Sequence, residues 1–226
     1  LVPQAFTLDD NYNQSLAQLG FVVINFAYRG SGPWRGRDFH TFGYGNLRDY
    51  ALADDMAAIR QIAARYPCAD IERVGIYGHS GGGFMTVAAM LNHPEFYKVG
   101  VAASGNHDNN IYSQWWGETF HGVKQTWGKD GKPHFECHIP TNIELADRLA
   151  GRLLLITGDM DNNVHPASTA RLADALIRAR KRFDMTVIPG ADHGLGNSYY
   201  VNLIRYYFTE HLLGLPQQEI DIVKHN

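Results

Sequence analysis

The chain has 226 residues, 45% hydrophobic and 12% aromatic, with 20 basic and 23 acidic side chains for a net charge of -3. That is apolar material for one large α/β core and hence one domain, while the near-balanced charge carries no footprint for nucleic acid or an anionic membrane surface. No apolar run approaches the ~20 residues that span a bilayer, and Cys68 and Cys137, spaced for neither a metal knuckle nor a redox pair, are expected as free thiols.

Residues 10–19 carry apolar side chains at three- and four-residue spacing and predict a helix. Residues 21–26, Phe-Val-Val-Ile-Asn-Phe, predict a strand, and residues 47–65 a second helix that stops at Tyr66-Pro67. Residues 73–77 predict a strand and residues 83–91 a helix. Further strands are expected over residues 99–103, 153–157 and 185–188, with helices over residues 166–182 and 198–213. Most of the strand runs are continuously apolar rather than alternating, as in parallel strands covered on both faces. Strand followed by helix, five times over, predicts an α/β fold with a mostly parallel, doubly wound sheet and helices on both faces. In such sheets ligands meet the carboxyl ends of the strands. Residues 106–148 break the alternation; rich in Trp, Tyr, Phe, His, Gly and Asn, they are expected to form a cap or pocket wall.

Between the strand at 73–77 and the helix at 83–91 lies Gly78-His79-Ser80-Gly81-Gly82, a G-x-S-x-G run in a strand-to-helix turn. Such a turn lifts a serine hydroxyl clear of the sheet, and its glycines permit the strained, crowded backbone. A serine nucleophile needs a base and a carboxylate to orient that base, here in the chain order Ser, Asp, His. Gly158-Asp159-Met160-Asp161-Asn162-Asn163-Val164-His165 follows the strand at 153–157, and Pro189-Gly190-Ala191-Asp192-His193-Gly194 follows the one at 185–188. Each loop lies past the carboxyl end of its own strand. We therefore expect Ser80 as nucleophile, His193 as general base then acid, and Asp161 as the orienting carboxylate, with Asp159 as runner-up. Taken singly, each has an ordinary alternative as a helix cap, a turn residue or a surface histidine.

Arg29-Gly30-Ser31-Gly32, Gly78 to Gly83, Asp161 to His165 and Asp192-His193-Gly194, in this order and at these separations, resemble the catalytic domain of prolyl oligopeptidase family serine peptidases, nearest to its dipeptidyl peptidase IV-like branch. The resemblance covers almost the whole chain and implies an α/β-hydrolase fold. It implies that the Gly81 backbone N–H serves the oxyanion, that Asn163 binds a substrate backbone carbonyl, and that Val164 edges the primary specificity pocket. Tyr112 and Trp116 match the branch's aromatic pocket, with plain core packing as their alternative. Asn106 and Asn109 fall where apolar residues would stand, and His79 and Gly81 replace bulkier aromatic residues. Substrate preference is therefore not to be copied from the branch. Arg29 is expected to fix its glycine-rich loop rather than touch substrate.

The resemblance further implies N-terminal strands and a propeller-type domain upstream, including a tyrosine oxyanion donor before a Gly-Pro turn whose proline would be Pro3. These 226 residues are thus expected to be the C-terminal portion of a longer protein, with any targeting signal upstream and a periplasmic or cytoplasmic location left open. The expected activity is hydrolysis of short peptides through an acyl-enzyme, of dipeptidyl aminopeptidase or oligopeptidase type, with no cofactor and with homo-oligomerisation left open. Alternatives are a carboxylesterase or acyl-aminoacyl hydrolase on the same three residues, and a non-catalytic binding domain. His134 and His138 stand four apart, but Pro133 and Pro140 confine any helix there to about one turn and no third zinc ligand is spaced to join them.

Overall fold

The computed structural model describes residues 13–196 and 198–215. Among them the elements run α1 (Asn13–Gln18), α2 (Arg37–His40), α3 (Leu52–Arg65), β1 (Val74–His79), α4 (Gly81–Asn92), β2 (Tyr97–Ala103), α5 (Gln114–Phe120), β3 (Lys124–Trp127), β4 (Pro133–Glu136), β5 (Arg152–Gly158), α6 (Ala167–Arg178), β6 (Asp184–Ile188) and α7 (Ser198–Leu213). Strands β1, β2, β5 and β6 pair in that order, all parallel, while β3 and β4 form a separate antiparallel hairpin.

Burial on both faces explains the continuous apolar runs. Successive residues of a strand point to opposite faces, so Leu153 and Leu155 of β5 join a core with Leu52 and Met56 of α3, Leu91 of α4 and Leu172 and Leu176 of α6. Leu154 and Ile156 point the other way, into a core with Val99 and Val101 of β2 and Ile204, Tyr207 and Phe208 of α7. The helices present matching stripes, Tyr200, Ile204, Tyr207, Phe208 and Leu212 on α7 following the 3.6-residue period. Helix α4, directly after Ser80, is different: Val87 through Leu91 are all 0% exposed, because it lies between the sheet and the surrounding helices.

Most boundaries shift by one or two residues, and three departures from the expectations are larger. Residues 47–51 form turns and α3 begins at Leu52, and α6 ends at Arg178 rather than 182. Residues 21–26 are not a strand. No ladder with a described strand includes them; β1 pairs with β2, and Phe21 and Val23 serve instead as packing residues on the α7 side, with the Phe21 ring 6.2 Å from that of Phe208. An apolar pattern defines which side chains are buried, whereas a strand also needs a neighbouring backbone to bond. Of the predicted first helix, residues 13–18 are helical and residues 10–12 lie outside the described residues, as does Pro3.

Cys68 and Cys137 are free thiols. No helix among the described residues is long and apolar enough to cross a membrane. His134 lies on β4 beside Asp130, and His138 beyond it approaches Glu144, so their four-residue spacing falls across a strand end and does not create a helical face.

Candidate active site

The G-x-S-x-G run becomes a tight turn between the last residue of β1 and the first of α4. Ser80 sits there at φ 58°, ψ -122°, a conformation that costs a non-glycine residue energy and persists only where its surroundings enforce it. They do so through two backbone bonds: Ser80 N–H donates to Ala103 O at the end of β2 (2.8 Å), and Ser80 O accepts from Phe84 N–H (3.0 Å). The glycines are a matter of close approach. A Cβ on Gly78 would stand 2.4 Å from the carbonyl carbon of Gly82, and one on Gly83 2.5 Å from Ala103 O.

The loops after β5 and β6 reach the same point. His193 Nε2 lies 3.0 Å from Ser80 Oγ, and His193 Nδ1 lies 2.8 Å from Asp161 Oδ2. A carboxylate only accepts, so Nδ1 carries the proton and Nε2 is left to accept the Ser80 hydroxyl. Asp161 is 2% exposed and its other oxygen is engaged too, Oδ1 accepting from Asn163 N–H (3.0 Å) and Val164 N–H (2.8 Å). A buried carboxylate with three donors is compensated for its lost hydration and cannot rotate away from the imidazole. Asp159, the runner-up, is committed elsewhere: its Oδ1 accepts from Gly190 N–H at 2.6 Å, tying the two strand-end loops together.

Gly81 opens α4, so its N–H falls in the first turn, where no intrahelical acceptor exists. That leaves a backbone donor next to the Ser80 hydroxyl, in the positive field of a helix N-terminus. The tyrosine expected as its partner would precede Leu1, upstream of this sequence.

Around this centre, the Tyr112 hydroxyl donates to Asn163 Oδ1 (2.7 Å), and burial together with the Asp161 charge raises the Tyr112 pKa, keeping it a donor. Trp116 stacks edge-on against Tyr112, with centroids 5.7 Å apart, and also packs on the core of Leu47, Tyr50, Ala51 and Ile139. Tyr112 is thus joined to the acid loop, whereas Trp116 is in part a core residue. Val164 is 2% exposed, held by its N–H to Asp161. Asn106 and Asn109 are both 2% exposed and bonded to each other, Asn106 Nδ2 to Asn109 Oδ1, while Asn106 Oδ1 and Asn109 Nδ2 have no protein partner. Arg29 pairs with Asp54 at 2.5 Å and lies over the Phe42 ring, which fastens its loop to α3. Among the described residues no group of three or more His, Cys, Asp or Glu side chains could hold a metal ion.

Two contacts were not legible in the sequence. His193 O faces His79 Nε2 at 2.5 Å and Ser104 Oγ at 3.3 Å. Ser104 follows β2 and His79 ends β1, and only the pairing of His79 with Ala103 across the ladder brings them side by side.

With this geometry in hand, comparison with known proteins is specific. Residues 7–215 match the family model described as the prolyl oligopeptidase family. Human dipeptidyl peptidase 8 is 29% identical over 198 residues, covering 85% of this chain and 22% of its own. Among solved structures, a putative dipeptidyl aminopeptidase IV from Bacteroides ovatus superposes with TM-score 0.69 at 31% identity, over 81% of this chain and 25% of its own. Porphyromonas gingivalis dipeptidyl peptidase 4 gives 0.70 at 25% identity, over 81% and 26%. The chain spans about a quarter or less of the length of these relatives.

Proposed function

The chain belongs to the prolyl oligopeptidase family, and from that premise we propose that it is a serine peptidase domain that hydrolyses short peptides, as a dipeptidyl aminopeptidase or oligopeptidase, through Ser80, His193 and Asp161. One observation carries the proposal: the unbroken hydrogen-bonded series from Asp161 through His193 to Ser80, drawn from three loops at one edge of the sheet.

In the proposed reaction His193 Nε2 takes the Ser80 proton as Oγ attacks the scissile carbonyl. Asp161 holds the tautomer and stabilises the imidazolium, and the Gly81 N–H donates to the oxyanion. His193 then protonates the departing amine, leaving an acyl-serine. A water, deprotonated by the same nitrogen, releases the acid and restores the hydroxyl. With Asn163 Oδ1 occupied by the Tyr112 hydroxyl, its amide N–H groups are the donors offered to a substrate backbone carbonyl. Tyr112, Trp116, Val164 and the Asn106 side would wall the primary subsite. The site is proposed to act within a longer peptidase, beside a propeller-type domain that receives the peptide N-terminus. The lengths of the matched relatives support this.

The test is fluorophosphonate labelling of the full-length protein and of Ser80→Ala, with Xaa-Pro and Xaa-Ala anilides beside short-chain esters. We expect labelling of the parent alone, faster turnover of anilides than of esters, and a loss of about 10⁶ in kcat for Ser80→Ala. Preference for esters would make the protein a carboxylesterase, and an unlabelled parent a non-catalytic domain.

A further inference from the structure

Resting on the proposed acyl-transfer chemistry, we infer that His79 is a positioning residue, whose Nε2–H holds the backbone carbonyl of His193 and thereby sets the distance between the base and Ser80. The observation is a second connection between the nucleophile and the base. His79 immediately precedes Ser80 at the end of β1; its Nε2 lies 2.5 Å from His193 O and its ring centroid 4.7 Å from that of His193. A carbonyl only accepts, so His79 Nε2 carries the proton.

The loop bearing His193 is fastened to the loop after β5, Met160 N–H donating to Ala191 O (3.0 Å) and Gly190 N–H to Asp159 Oδ1 (2.6 Å), but these bonds do not reach β1. Its neighbours Asp192 and Gly194 are linked to each other, Gly194 N–H donating to Asp192 Oδ1 at 3.0 Å, and Asp161 grips only the imidazole. Neither contact fixes the His193 backbone against β1. His79 does, with Ser104 Oγ as a longer second donor to the same oxygen at 3.3 Å. Ser104 is itself 0% exposed at φ 46°, its N–H bonded to Ile156 O at 2.8 Å. The carbonyl of the base is thus held from the ends of β1 and β2, and the nucleophile rides on the first of these. Ser80 and His193 are thereby joined through the backbone as well as through their own hydrogen bond.

The type of residue matters. Burial is the largest influence lowering the His79 pKa, so near neutrality it is an uncharged donor. An uncharged ring does not oppose the positive charge that develops on His193 during attack, as a lysine or arginine in its place would. A phenylalanine there could stack on His193 but could not bond its carbonyl.

That contrast defines the experiment, made on the full-length protein with Ser80→Ala as blank. His79→Phe keeps the ring packing and removes the donor; His79→Gln keeps an N–H near the same place and removes the ring. Fluorophosphonate labelling rate, anilide kcat and KM, and thermal midpoint are measured for each. We expect His79→Phe to lose about tenfold in labelling rate and kcat, the order of one hydrogen bond, with KM within about twofold because no substrate atom is touched. His79→Gln is expected to recover most of that loss. Parent-like kcat in folded His79→Phe overturns the inference, as does His79→Gln being as slow as His79→Phe. Should His79→Phe not fold, His79→Met provides the side chain without a donor. An unlabelled parent, or a labelled Ser80→Ala, would instead show that the underlying acyl-transfer reading has failed, and the inference would fall with it.

Discussion

The carboxyl-end edge of the sheet and the β3–β4 hairpin are both built largely of polar and aromatic residues, yet they are held in opposite ways. At the edge, Asp161 takes three hydrogen bonds, His193 is fixed at both ring nitrogens and at its carbonyl, and the supporting strands β2 and β5 lie in the core. On the hairpin, Gln125 opposes Phe135 and Trp127 opposes Pro133, and Trp127 and Phe135 remain 69% and 67% exposed. Its own ladder and the turn bond from Gly128 N–H to Lys132 O maintain it. Polar side chains acquire fixed geometry where buried strands end, because there each rotamer is determined by packing and by several partners at once. A two-stranded ribbon buries too little to impose that.

Breaking the edge should be expensive for turnover. Asp161→Asn is expected to lower kcat about 10⁴-fold by favouring the wrong imidazole tautomer, with the thermal midpoint near that of the parent. An anilide turnover loss below tenfold would show that the carboxylate is not the orienting group.

The turn at residues 106–110 offers a smaller, pH-dependent effect. His107 is 0% exposed. Its O accepts from Asn142 N–H, its N–H donates to Ser168 Oγ and its Nδ1 faces Asn142 Nδ2, so it pins the 106–110 turn to the helix side. Burial pushes its pKa down to about 3. The unfolded imidazole titrates near 6.5, so the unfolded state binds the extra proton between those values. Stability is therefore complete above about pH 6.5 and is lost as pH falls towards 3, by at most ~1.4 kcal/mol per pH unit from this group. Urea unfolding at stepped pH measures it, and His107→Gln, with nothing to titrate, should flatten that slope.

The hairpin should give the smallest effect. Trp127→Ser and Phe135→Ser are expected to change unfolding free energy by no more than about 0.5 kcal/mol, as for exposed positions without buried partners, and to leave labelling of Ser80 unchanged. A larger loss in either would place the hairpin in the cooperative core after all.

Most of the helix and strand order was legible, because residues 99–103 and 153–157 are apolar on both faces and the helices carry clear stripes. The strand expected at residues 21–26 was the exception. Its pattern was real, but among the described residues it forms no ladder, and Phe21 and Val23 pack on the α7 side. The three side chains that the structure brings together, Ser80, Asp161 and His193, could be picked out since each follows its own strand in a turn rich in glycine or asparagine. Spacing alone ranked Asp161 over Asp159 only loosely; the hydrogen bonds from Gly190 to Asp159 and from His193 to Asp161 separate them. His79 was visible only as an unusual neighbour of the serine.

The sequence by itself determined that parallel strands would alternate with helices and that three loops would emerge at one edge, because periodicity and glycine placement act over a few residues of chain. Only the tertiary structure decided which atoms meet there. The contacts that aim His193, from Asp161, Ser80, His79 and Ser104, span 32 to 114 residues of sequence, and no local pattern encodes a distance between side chains so far apart. The register of β1 against β2 and the packing of β5 and β6 beside them set those distances.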